Sequence, residues 1–429
     1  MPRTPKEIAG RTRIGERPER LTITLWDFSW YTRTGPGQAF EDLDTAFAAA
    51  VARGYNTVRI CAMPFLLFGA GLPTAGLSFQ GLGGEFGQRT RWYDIAPSSG
   101  VDGHAHLVAL FAAARRHGCY VALSSWEYQQ SSALAGDCRW WDRLRAIPPR
   151  QRTTVLANCL ADLVEYLDGH GLADRIAFVE LHNEAQAGYL TDAVPPGVPP
   201  VVGLRDTLER GIAAFKARRG DQLVAVNFAE VPVGQLHAFP RNADVAVFHP
   251  YCAGALGELL EVFALRAPQR PFPQVRAERE LLRSGAPAQP EWLPPAVDAW
   301  RMAATIVSQR EVYLHDWCDP QKWDAWLYQR HALYAAQQEA VLALWIAAAH
   351  DLAVARDIPL VFGEGWVGYT PLGSRFEDGP TGAGLCRLAA RLAAEAGAWG
   401  SVVCSNAAPH HPMWADVALQ REVNDAFTG

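Results

Sequence analysis

The chain has 429 residues, of which 49% are hydrophobic and 20% charged, with a formal net charge of -6. These are globular values that exclude disorder and fibrous repeats. The acidic balance gives no general attraction to phosphate backbones or anionic lipid, so neither nucleic acid nor membrane is an expected partner. The most apolar stretch, 341–349, is bounded by Glu339 and His350 and falls short of the roughly 18 residues that a span needs.

Residues 1–20 are hydrophilic and form an N-terminal extension without the apolar core of a secretory signal, which predicts a cytoplasmic protein. From residue 21 onward, short apolar or β-branched runs alternate with longer amphipathic stretches, the pattern of a parallel sheet wrapped by helices. Strands are expected at 21–28, 57–63, 120–125, 176–181, 223–228, 245–248, 360–362 and 401–404. Helices are expected at 40–53, 104–117, 153–168, 204–218, 333–356 and 385–396. Eight strands in this order predict an α/β fold, a (β/α)8 TIM barrel filling residues 21–429 as a single catalytic domain. Arg53-Gly54, His117-Gly118 and Arg219-Gly220 each place a basic residue and a glycine before a strand, the stop signal of a helix with a left-handed cap. Between strands six and seven, at about 252–328, the chain is rich in proline and carries Trp292, Trp300, Trp317, Trp323 and Trp326. That composition predicts an insertion on the catalytic rim, either a proline-stiffened cover or a sugar-stacking wall. Eight cysteines without CxxC spacing read as buried free thiols.

In such a barrel the catalytic groups project from the carboxyl ends of the strands. Strand one ends Trp26-Asp27-Phe28-Ser29-Trp30, strand two carries Arg59, strand three ends Trp126-Glu127, and strand four ends His182-Asn183-Glu184. Glu230 follows strand five, His249-Pro250-Tyr251 strand six, Glu364-Gly365-Trp366 strand seven, and Ser405-Asn406 strand eight. Glycoside cleavage needs two carboxyl groups, one to protonate the leaving oxygen and one to attack the anomeric carbon or activate water. Glu184 and Glu364 can face each other across the barrel mouth. Asn183 can bond the sugar 2-hydroxyl, Arg59 can bond the nucleophilic carboxylate and lower its pKa, and Tyr251 can position it. Trp26, Trp30, Trp126 and Trp366 are candidate substrate contacts, with Asp27, Glu127 and Asn406 as further binding or supporting groups.

Tyr55-Asn56-Thr57-Val58-Arg59-Ile60, Phe178-Val179-Glu180-Leu181-His182-Asn183-Glu184, His249-Pro250-Tyr251 and Val361-Phe362-Gly363-Glu364-Gly365 follow one another in the chain. Together they resemble the cellulase-like glycoside hydrolases of clan A, particularly family 5 and its relatives. The resemblance implies a retaining β-glycosidase with Glu184 as acid/base, Glu364 as nucleophile, Arg59 as its electrostatic partner, and His249 and Tyr251 orienting the carboxylates. The expected substrate is a β-linked oligosaccharide or a glycosylated small molecule, cleaved without metal or organic cofactor. The chain departs from the family pattern at strand three, where Trp126 and Glu127 stand in place of a frequent histidine. It departs again at strand eight, where Ser405-Asn406 replaces a tryptophan platform and Trp414 comes only later. Two other classes stay open. One is an isomerase-type barrel holding a divalent metal on Glu127, His182, Glu184, Glu230 and His249; the other is a barrel that binds carbohydrate without cleaving it.

Overall fold

The computed structural model describes residues 6–82, 95, 98–293, 296–368, 370–371, 373–402 and 407–429. Eight parallel strands close into a barrel: β1 (Leu21–Asp27), β2 (Thr57–Cys61), β3 (Tyr120–Ser124), β4 (Ile176–Glu180), β5 (Val224–Ala229), β6 (Val245–His249), β7 (Leu360–Phe362) and β8 (Gly400–Val402). They pair in chain order around the ring, and β1 joins both β2 and β8. The (β/α)8 barrel expected from the alternating pattern is therefore the fold. Strands covered on both faces need not alternate in polarity, which is why they read as nearly continuous apolar runs. Every residue of β1, β2, β4 and β6 is buried. Among the strand residues that break this apolarity, Asp27, Arg59, Glu180, Asn227 and His249 belong to the polar network described below.

The helices around the barrel are α1 (Leu43–Val51), α2 (Gly103–Arg116), α3 (Arg152–Gly169), α4 (Pro200–Arg218), α5 (Pro320–Arg356), α6 (Pro380–Glu395) and α7 (Val417–Thr428). α1 and α2 end as expected, with Gly54 and Gly118 at φ of +86° and +67°. The third stop signal works differently. α4 gives way at Arg219, whose φ is -129°, and Gly220 is not in the left-handed region. β5 and β6 are joined by a short 3-10 turn, Val233–Ala238, with no α-helix between them.

α5 begins at Pro320, well before the expected residue 333, because Asp319 accepts hydrogen bonds from the backbone N–H groups of Gln321 and Lys322 and Pro320 fits the first turn. Gln338, Leu342, Ile346, Ala349 and Ala353 are buried at helical spacing along its inner face, while Leu333, Leu344 and Val354 are exposed. By length and composition this helix is apolar enough to cross a membrane, which the short stretch 341–349 did not convey. Its buried stripe packs onto β6 and β7.

The segment before β1 seals the end of the barrel opposite the catalytic rim. Arg17 Nε donates to the carbonyl of Ile176 at the start of β4 (3.1 Å), and the Trp399 indole donates to Pro18 O (2.9 Å). The seven described cysteines are all free, and six are buried.

Candidate active site

Arg59 is the centre of the barrel's polar floor. In its strand, Arg59 pairs in register with Leu25 of β1 and Ala122 of β3. The side chain is fully buried, with its guanidinium carbon 4.5 Å from the centre of the Trp126 ring. Its Nε lies 3.1 Å from both Glu180 oxygens, one terminal nitrogen donates to Glu180 Oε2 and Asn183 Oδ1 at 2.6 Å each, and the other donates to Glu364 Oε1 at 2.7 Å. Asp27 Oδ1 stands 3.7 Å away. Burial works against the cation, but the charges of Glu180 and Glu364 outweigh it and raise the arginine above its ordinary pKa. Asn227 donates a further bond to Glu180 Oε2 (2.7 Å), so this buried carboxylate is saturated.

Above this floor the two candidate catalytic carboxylates meet. Glu364 receives Arg59 on one oxygen and the Tyr251 hydroxyl on the other, the latter at 2.7 Å. Glu184 is held at Oε2 by Gln129 Nε2 (3.0 Å) and at Oε1 by His249 Nδ1 (3.0 Å); the same ring nitrogen is 3.6 Å from Glu364 Oε1. One oxygen of each glutamate and a ring nitrogen of His249 all lie within 4.8 Å of one another. Glu184 is a non-glycine residue in the left-handed region, φ 39° and ψ 62°, a costly conformation that collects at functional sites. Its N–H is tied down by Asn227 Oδ1.

The structure thus brings together Arg59, Asn183, Glu184, His249, Tyr251, Glu364, Asp27 and Trp126. It does not bring the other candidates to the cavity. Trp26 faces outward and packs on Phe40 and Phe47, at the bulge where β1 slips register against β2 between Leu25 and Asp27. Trp30 bonds the carbonyl of Cys61 and stacks on His106, and Trp366 is fully buried against Phe362. Those three indoles pack inside the protein and do not line the cavity described below. Glu127 accepts from the backbone N–H groups of Phe65 and Leu66 and from Ser125, supporting the loop after β2; burial pushes its pKa up to about 7. His182 accepts from the Tyr128 N–H, and burial lowers its pKa to about 4, leaving it neutral. With Glu127 and His182 engaged elsewhere, the five-residue metal set does not assemble. The closer group of Glu184, His249 and Glu364 has spacing that a metal ion can bridge, although the Arg59 cation already occupies Glu364 Oε1. Asn406 lies outside the described residues. Trp414 stacks on Tyr55 beneath Arg53, in the outer layer.

Gln129, Glu180 and Asn227 were not singled out from the sequence. Glu180 and Asn227 carried a signal, as polar residues inside apolar strand runs; Gln129, in the loop after β3, carried none.

The cavity over the carboxylates measures about 470 Å³. Its upper wall comes from the segment after β6: Leu256, Leu260, Arg266, Ile306, Val307 and Glu311. The insertion does lie on the catalytic rim, but its tryptophans do not form the wall. Trp292 packs on Tyr313, Trp323 on His315 and Trp326 on Phe263, making the insertion's own small core. Ser308 and Glu311 form a reciprocal cap on the helix Gln309–Trp317, and Arg266 Nε donates to Glu311 at 2.7 Å.

Residues 23–190 match the model of a family described as cellulase-like, "Sugar-binding cellulase-like". A "putative glycoside hydrolase" from Parabacteroides distasonis ATCC 8503 is similar with a TM-score of 0.67 at 19% identity, over 95% of this chain and 93% of that one. A tri-modular GH5 (subfamily 4) endo-beta-1,4-glucanase from Bacillus licheniformis is similar with a TM-score of 0.50 at 14% identity, over 96% of this chain and 60% of that one. At these identities the likeness is one of fold. No curated protein sequence matches the chain. The resemblance read from the strand ends is borne out as a likeness: residues 23–190 are similar to the cellulase-like family, and the whole chain shares the barrel fold of that glycoside hydrolase structure.

Proposed function

We propose that this protein is a retaining glycoside hydrolase that cleaves a β-linked oligosaccharide or glycosylated small molecule, with Glu184 as acid/base and Glu364 as nucleophile. The observation that carries the reading is the approach of the two carboxylates, with oxygens within 4.8 Å of each other beside one imidazole. Retaining enzymes hold their carboxyl groups roughly 5 to 5.5 Å apart, whereas inverting ones need roughly 6.5 to 9.5 Å to admit water between them.

The surroundings suit the two roles. Arg59 and Tyr251 each donate to one oxygen of Glu364, which favours the anion and aims it. In the first step a Glu364 oxygen bonds the anomeric carbon, the glycosidic C–O bond breaks, and Glu184 gives its proton to the departing oxygen. In the second, Glu184 takes a proton from water, the water oxygen attacks the anomeric carbon, and Glu364 leaves. Gln129 and His249 hold the two oxygens of Glu184 through both steps.

The test uses 2,4-dinitrophenyl β-glycosides of the gluco, manno, galacto and xylo series, with proton NMR of the first product. A β-configured hemiacetal is expected. An α-configured first product overturns the retaining mechanism, and no turnover across the series overturns the hydrolase. The Glu184–His249–Glu364 spacing favours one competing reading, a metal-dependent site, and rates that fall after dialysis against EDTA and return with a divalent ion would establish it.

A further inference from the structure

The side of the cavity next to Glu184 is where the leaving group must sit, because Glu184 protonates it in the proposed reaction. That side can be traced through contacts. Gln129 bonds Glu184 through its amide, and its carbonyl accepts the backbone N–H of Ile306 at 2.9 Å. Ile306 and Val307 are thereby tied to the loop that holds the acid/base, and Ala187, after β4, and Ala229, the last residue of β5, line the same cavity. Glu230 is at the rim, exposed to solvent. The lining is mixed: Ala187, Ala229, Ile306 and Val307 supply an aliphatic patch, and Gln130, Arg266, Ser308 and Glu311 stand around it.

Its exposure is built in. Ile306 is 39% exposed, which is unusual for a large apolar side chain in a cavity wall, and the turn carrying it is fixed on both sides. The Tyr189 hydroxyl bonds the carbonyls of Ala303 (2.8 Å) and Thr305 (3.1 Å), and the Thr305 hydroxyl accepts the Val307 N–H (3.1 Å). Among the described residues lining the cavity, the aromatic ones are Trp126 and Tyr251, both on the barrel floor. A second pyranose placed on the Ile306–Val307 turn would press hydroxyls against C–H groups that cannot bond them. A hydrocarbon in the same place would lose only unfavourable contact with water.

We propose that the leaving group is an apolar, non-carbohydrate aglycone seated on the Ile306–Val307 turn. The proposal rests on the glycosidase reading above. It is tested on the purified full chain with three substrates sharing the sugar that the aryl series selects: the methyl β-glycoside, the hexyl β-glycoside and the β-1,4-linked disaccharide. An alkanol is an intrinsically poorer leaving group than a sugar hydroxyl, so any preference for hexyl comes from binding. The hexyl glycoside is expected to exceed both others in kcat/KM by roughly tenfold or more, the scale of a few methylenes in an apolar site. Ile306→Asn, at a position exposed enough to accept it, should reduce the hexyl-to-methyl ratio several-fold. A preference for the disaccharide, or a hexyl-to-methyl ratio near one in the native chain, overturns the aglycone assignment and leaves the hydrolase standing. Failure of every activated aryl glycoside overturns both.

Discussion

The floor and the upper wall of the cavity are built on opposite physical terms. The floor is charged, buried and borne on strands: one arginine serves Glu180, Glu364 and Asp27, and nearly every polar atom has a fixed partner. The wall sets aliphatic side chains beside the Arg266–Glu311 pair and is carried by turns and short helices of the segment after β6, where Ile306 stands open to solvent. A group on the floor cannot move without stranding a charge, whereas a group on the wall can change at the cost of a little apolar contact. On the proposed reading, chemistry belongs to the first region and choice of substrate to the second.

The comparison breaks first at Glu364. Glu364→Ala should lower kcat by roughly 10⁴-fold or more even on a dinitrophenyl glycoside, and added azide should give the α-glycosyl azide, detected by NMR. Glu184→Ala should cost roughly 10²- to 10⁴-fold on substrates with poor leaving groups and much less on activated ones. Azide should then give the β-glycosyl azide; the reverse products would exchange the two assignments. Arg59→Met should destabilise the fold by about 3 to 5 kcal/mol in urea unfolding, because it leaves paired carboxylates buried without their cation. A loss below about 1 kcal/mol would mean that the floor is wetter and more forgiving than its geometry implies. On the wall, Leu260→Ser should raise KM several-fold with kcat nearly constant, as expected when binding is lost equally from ground and transition states. A fall in kcat as large as that of Glu184→Ala would erase the distinction between the regions.

Glu127 sharpens the contrast through pH. Its folded-state pKa, pushed up to about 7 by burial, exceeds the ordinary carboxylate value, so the folded chain binds the proton more tightly than the unfolded one. The stability it contributes is complete below the unfolded pKa and is lost as pH rises through about 7. Urea unfolding of Glu127→Gln from pH 4 to 8 should therefore show a flatter decline than the native chain. Equal slopes would mean that Glu127 is already charged in the fold.

What the sequence made legible follows the same division. All eight strands could be found because covered strands are apolar throughout, and Glu184 and Glu364 could be found because a carboxylate after a strand in a barrel has a predictable place. Trp26 packs outward at a bulge between Leu25 and Asp27, an irregularity that no local pattern in the sequence announces. The start of α5 was also readable, since Asp319-Pro320 is a helix-opening pair, yet the prolines before it drew residues up to 328 into the insertion. The wall was not legible. Tryptophan count does not say whether an indole faces a substrate or a neighbouring ring, and the insertion used Trp292, Trp323 and Trp326 for its own core. Gln129 acts through a loop geometry that no local pattern records.

The reach of Arg59 also bears on when the site comes into being. Its contact with Glu180 closes 121 residues of chain, but its contact with Glu364 closes 305, and long closures form late in folding. The ring is completed by β7 and β8, the last strands in the chain, with β8 closing onto β1. An N-terminal half-barrel can thus bury the Arg59–Glu180 pair while still lacking Glu364. On the proposed reading, the nascent chain is chemically silent until its last seam closes, and loosening of that seam would extinguish turnover before the rest of the barrel unfolds.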